Sequence, residues 1–159
     1  MLITFRLLLI VVLIIVLYQD VMKRTIHVGL PIAMFLMAVA INVISNHLNF
    51  SDILYNSGFI LINILGLTLY FSFKNKALIN PIDTFIGLGD IAFFVAITPL
   101  FTLKPFILFF IMGLLFSLIV HGVLLVFKKV KTIPLAGYLA LFLMINIVAE
   151  KAFKINMFF

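Results

Sequence analysis

The chain alternates long apolar stretches with short polar ones, and the apolar stretches set the organisation. Six stand out, at residues 2–18, 28–45, 53–73, 88–103, 105–127 and 133–149. Each comes near the about 20 residues that carry a helix across a bilayer. In the first, Arg6 has a stem long enough to carry its charged head out to the membrane surface. In the second, Pro31 falls in the first turn, where a missing N–H is tolerated. Lys104-Pro105 reads as a tight break between the fourth and fifth. Treating residues 88–127 as one kinked crossing fails on length, because that stretch is well beyond what one crossing needs. The first stretch has the basic residue and apolar core of a signal peptide. It lacks a small-residue cleavage site and runs into Tyr18-Gln19-Asp20, so it reads as a retained helix. The expectation is an all-α integral membrane protein of six transmembrane helices with short loops, forming a single polytopic domain over residues 1–159.

Composition agrees with that reading. Hydrophobic residues make up 66% of the 159 and charged residues only 10%. A soluble domain carries about half and a quarter, and a fold of this size could not hide so much apolar surface from water. Six spans take roughly 120 residues, which leaves loops and no room for a soluble catalytic domain. Chemistry must then sit in or at the edge of the bilayer. With no cysteine, disulfides, thiolate metal sites and cysteine nucleophiles are excluded.

The net charge is +6. In this chain it points to membrane lipids and not to nucleic acid, because the positive residues lie between spans. Lys23 and Arg24, Lys74 and Lys76, and Lys128, Lys129 and Lys131 fall on one side, seven in all. Arg6, Lys104, Lys151 and Lys154 fall on the other, four in all. The positive-inside rule places the first group in the cytoplasm and both termini outside. Tyr18, Tyr70 and Tyr138 then fall near the inner interface, where aromatic rings settle.

A carboxylate within a span costs about 2.5–3.5 kcal/mol on insertion scales, so each acid needs a reason. Asp52 lies in a polar loop and reads as solvated. Glu150 lies beside Lys151 as an interfacial pair at most. Asp83, after Pro81, reads as a turn or cap residue. Asp20 closes the first span, and Asp90 opens the fourth within Gly87-Leu88-Gly89-Asp90. In the alternating topology both sit at one depth, near the cytoplasmic face. Two carboxyl groups close together cannot both ionise, so they share a proton. The charged one can take a proton from water while the protonated one polarises a peptide carbonyl, which is general acid–base hydrolysis with neither metal nor cofactor. Gly87 and Gly89, lacking Cβ atoms, would let a backbone approach. The competing reading of these residues is a loop with an aspartate cap.

Three elements, in order, carry a family resemblance: Asp20-Val21-Met22-Lys23-Arg24-Thr25-Ile26, Gly87-Leu88-Gly89-Asp90, and Ile133-Pro134-Leu135-Ala136-Gly137-Tyr138. Together they resemble the type IV prepilin and archaeal preflagellin peptidases, which are GxGD intramembrane aspartyl proteases. The resemblance covers the six-helix layout. It implies a catalytic pair Asp20 and Asp90, with Gly87, Gly89 and Pro134 as motif and substrate-approach residues. It further implies a prokaryotic inner (plasma) membrane and a prepilin-like or pseudopilin-like precursor as substrate. Ala92 stands where many members carry Lys or Asp, and His27-Val28 where many carry Pro-Asn. Larger bacterial members also carry a cysteine-bearing cytoplasmic loop and methylate the new N-terminus. This chain has neither loop nor cysteine, so the resemblance implies peptidase activity without methyltransferase activity.

Other features have plainer readings. Gly113, Ser117 and His121 share one face of the fifth span and read as a packing seam with an interfacial histidine, the competing reading of His121 being one that orients the acid pair or binds substrate. Asn56 and Asn63 are expected to bond to neighbouring helices. Two other functions compete: a small transporter or assembly subunit using the acids as a carboxylate relay, and an inactive pseudo-peptidase. A relay needs polar groups spread across the bilayer, whereas Asp20 and Asp90 share one face.

Overall fold

The computed structural model describes residues 1–47, 49–76, 86–127 and 133–153. Asp83 with Pro81, the Lys128, Lys129 and Lys131 cluster, and Lys154 lie outside the described residues. The protein is all-α, with six helices: α1 (Leu2–Lys23), α2 (Gly29–Ile44), α3 (Phe50–Asn75), α4 (Leu88–Ile97), α5 (Leu103–Phe127) and α6 (Leu135–Phe153). Among the described residues no β-strand forms.

Four helices are long and apolar enough to cross a membrane, namely α1, α3, α5 and α6. The other two are apolar but shorter. The helices are apolar nearly all round, as helices bathed in lipid are. Leu7, Val11 and Ile14 of α1 point outward, whereas Leu9, Val12, Leu13 and Val16 form its buried stripe. That stripe meets α6, its principal neighbour, and α2. Leu13, Met34, Ile97, Leu139 and Leu143, all fully buried, form the centre of the core.

Several details depart from the sequence expectation. The first helix runs on to Lys23, so Asp20 lies inside its last turn. The fourth is much shorter than residues 88–103: α4 stops at Ile97 and continues only as a 3₁₀ turn, Thr98–Leu100. Pro99 is the cause, since it has no N–H to give and its ring collides with the turn before it. Lys104-Pro105, expected to be the break, instead lies in the first turn of α5, where proline is harmless.

The carbonyls freed at this break are held from other helices. Asn56 Nδ2 donates to the carbonyl oxygens of Thr98 (3.0 Å) and Phe101 (2.7 Å), and Asn42 Nδ2 donates to that of Pro99. Asn63 does not cross to a neighbour and bonds to Phe59 of its own helix. Glu150 pairs with Arg6 of α1 at 3.2 Å, not with Lys151. Asp52 belongs to the first turn of α3. Tyr18 and Tyr70 are exposed as expected, but Tyr138 turns into the protein beside His121.

The expected seam between α5 and α6 is present. A Cβ at Gly113 would lie 2.7 Å from Leu139 Cδ2, so any larger residue would push that buried leucine aside. Ser117 and His121 on the same face are buried.

Candidate functional site

The site forms where α1 ends and where α4 and α6 begin. At α6, Pro134 is fully buried and its carbonyl accepts the Tyr138 N–H at 3.1 Å. Pro134 therefore occupies the N-cap position, and the amides of the first turn beyond it have no partner within the helix. An N-cap serine or aspartate would normally satisfy one of them with its own side chain. Proline has no such group, and the two missing acceptors come from elsewhere. Asp90 Oδ1 accepts from the Ala136 N–H at 2.8 Å, and Asp20 Oδ2 accepts from the Gly137 N–H at 2.6 Å. Two carboxylates from two helices thus cap a third.

This arrangement fixes the acids relative to each other. Consecutive backbone nitrogens in a helical turn are about 2.8 Å apart. The two accepting oxygens consequently sit on neighbouring donors, and each carboxylate has a second oxygen that these two bonds do not use. The positive end of the α6 dipole also faces them, which favours negative charge at this point.

Glycines make the approach possible. At Gly137 a Cβ would lie 3.2 Å from Asp20 Oδ2 and 3.3 Å from Asp20 Cβ. At Gly87 a Cβ would lie 3.1 Å from Asp90 Oδ2, so this glycine leaves room for the carboxylate above the start of α4. Gly89 serves differently. Its missing Cβ would meet Ile26 Cδ1 at 3.1 Å, so it packs the α1–α2 loop against α4.

That loop is itself pinned. Arg24 ends α1 in the left-handed region (φ 56°), and its N–H bonds the Asp20 carbonyl. Gln19 Oε1 accepts the His27 N–H at 3.0 Å, and His27 Nδ1 accepts the Gly29 N–H at 3.2 Å. His27 thereby caps the start of α2.

Asp20, Asp90, Gly87 and Gly89 all line a cavity of about 910 Å³, whose wall also includes Arg24, Ile26 and Ser117. Both acids therefore open onto one shared space. Pro134 is buried behind it and caps α6, so the structure places it as a support. His121, one turn beyond Ser117, is buried against Tyr138. Ala92 lies on the apolar groove between α2 and α4.

Both acids are singled out by the sequence, because a carboxylate stands out in an apolar chain, and the structure brings them to one helix end. The sequence does not single out the amides of Ala136 and Gly137. Backbone donors have no residue signature, and the only available hint was Pro134, which marks where a helix starts without a cap of its own. Against these features stand the comparisons with known proteins: no protein-family model, no curated protein and no solved structure matches the chain.

Proposed function

We propose that the chain is a membrane-embedded aspartyl endopeptidase in which Asp20 and Asp90 act as the catalytic pair. The observation that carries this reading is the joint capping of α6: two carboxylates from different helices accept neighbouring amides, at 2.6 and 2.8 Å, and line one cavity. A water between them gives up a proton to the ionised carboxylate as its oxygen attacks the scissile carbonyl carbon. The protonated carboxylate gives its proton to the carbonyl oxygen. Collapse of the resulting gem-diol returns a proton to the departing amine, and the pair is restored. The Ala136 and Gly137 amides keep both acids oriented throughout, which is the preorganisation that such chemistry needs.

The motif resemblance supplies the substrate class, a prepilin-like precursor with a short basic leader and an apolar helix after the cut. It also supplies the setting, the plasma membrane of a prokaryote. The basic asymmetry of the loops supports a cytoplasmic cavity with both termini outside. The carboxylate-relay alternative is less well supported. Beyond the two acids, α4 and α6 continue with Phe93, Phe94, Ile97, Leu139 and Leu143, all buried and apolar. These five positions offer a proton no polar station.

The direct test incubates the purified protein in liposomes with candidate precursors and follows the shortening of the precursor. Wild type should cut, and Asp20→Asn and Asp90→Asn should not. Cutting by either variant at the wild-type rate would remove that acid from the mechanism. Failure of wild type on every precursor, with the fold intact, would favour a pseudo-peptidase.

A further inference from the structure

A second cavity, about 960 Å³, opens at the other end of the bundle. It lies where α3 and α5 begin, beside the second half of α6, and shares no lining residue with the cavity of the two acids. Its floor is aromatic. The rings of Phe101 and Phe109 are 5.1 Å apart, and those of Phe109 and Phe142 are 5.4 Å apart. Met112 extends this apolar floor toward the bilayer interior. At the opposite limit stand Asp52, from the first turn of α3, and Lys104, from the first turn of α5. Among the described residues the one ion pair is Arg6–Glu150, so this acid and this base line the cavity without pairing with each other.

The cavity therefore has an apolar trough running into the membrane and a head region bearing one positive and one negative charge. We propose that it is a binding site for a phospholipid whose headgroup carries a primary amine, as phosphatidylethanolamine does. The Lys104 ammonium takes the phosphate, and the Asp52 carboxylate takes the headgroup ammonium through N–H donors. An acyl chain lies on Phe109 and Met112. An anionic headgroup would satisfy Lys104 and be repelled by Asp52. A choline headgroup would meet Asp52 with no N–H to donate. The charge pair thus selects one headgroup class, which annular contact with lipid does not do.

The experiment uses the full chain purified in mild detergent and exposed to an equimolar mixture of phosphatidylethanolamine, phosphatidylcholine and phosphatidylglycerol with identical acyl chains. Retained lipid is counted by native mass spectrometry, with helix content from circular dichroism as the control for folding. Wild type should retain one phosphatidylethanolamine in preference to each competitor by roughly two- to fivefold, the scale of a partly exposed charge contact. Asp52→Asn should abolish that preference while retaining lipid. Lys104→Gln should weaken retention of all three. Equal retention of the three lipids by wild type would overturn the proposal, as would a preference that Asp52→Asn leaves unchanged. Neither result depends on peptidase activity, so this site stands or falls apart from the function proposed for Asp20 and Asp90.

Discussion

The two ends of the bundle meet the same physical problem with opposite chemistry. At one end the first turn of α6 presents N–H groups without partners, and carboxylates of α1 and α4 accept them. At the other end the broken chain after α4 presents carbonyls without partners, and the amides of Asn42 and Asn56 donate to them. Buried backbone groups must be satisfied in either case. The asparagine end uses neutral side chains, and both Asn56 and Thr98 there are wholly buried. The aspartate end uses ionisable side chains and opens on a cavity. A neutral acceptor, such as an asparagine oxygen, would suffice at the amides of α6 if only the fold were at stake. An acid costs more in a membrane, and two at one place call for a reason beyond capping.

Mutation can break this contrast, and the largest effect is expected at the acids. Asp20→Asn or Asp90→Asn should lower the rate of precursor cleavage by about 10²–10⁴-fold. Yet an asparagine oxygen still accepts the amide of Gly137 or Ala136, so melting in detergent should change little. The double variant should be no slower than either single one, because the pair acts as a unit. A large loss of thermal stability in the asparagine variants would make the two ends alike, both structural.

Gly137→Ala comes next. Its Cβ would crowd Asp20 from 3.2–3.3 Å and displace the carboxylate by a few tenths of an ångström. A loss of about tenfold or more in kcat with little change in KM is expected, as for a misplaced catalytic group. A change confined to KM would separate Gly137 from the chemistry.

At the neutral end, Asn56→Leu orphans two carbonyls. The expected cost is about 1–3 kcal/mol, seen as a lower midpoint of thermal or denaturant unfolding. Cleavage by the fraction that remains folded should be unaffected. The smallest effect belongs to the Arg6–Glu150 pair, which ties the start of α1 to the end of α6. Arg6→Gln should cost about 1 kcal/mol or less, with the loss shrinking further in high salt.

The same contrast explains what could be read from the chain beforehand. Hydropathy located all six helices, because lipid demands apolar residues wherever a helix faces it. Asp20 and Asp90 were conspicuous for the same reason. Helix ends were less legible. Pro99 and Pro105 are six residues apart in similar surroundings; only the fold decides that one ends a helix and the other sits harmlessly in a first turn. Asn56 and Asn63 occupy the same helix two turns apart, and one crosses to the break while the other folds back on Phe59. The Arg6–Glu150 contact spans 144 positions of sequence, and no local pattern announces such a partner. The cavity with Asp52 and Lys104 is of the same kind, since it exists only once α3 and α5 begin side by side.

The early end of α4 also matters to the lipid around it. With its 3₁₀ turn this helix rises about 21 Å, and α2 beside it about 24 Å, whereas α3 rises about 39 Å. A hydrocarbon core of about 30 Å therefore overreaches the α2–α4 flank and falls short of α3. Hydrophobic mismatch of this sense thins the bilayer locally on the short side. The groove between α2 and α4 adjoins the cavity of the two acids through Ile26 and Gly89. Water and headgroups are thus drawn closest to the carboxylates along that flank, and a segment travelling in the membrane plane would have the least hydrocarbon to leave there.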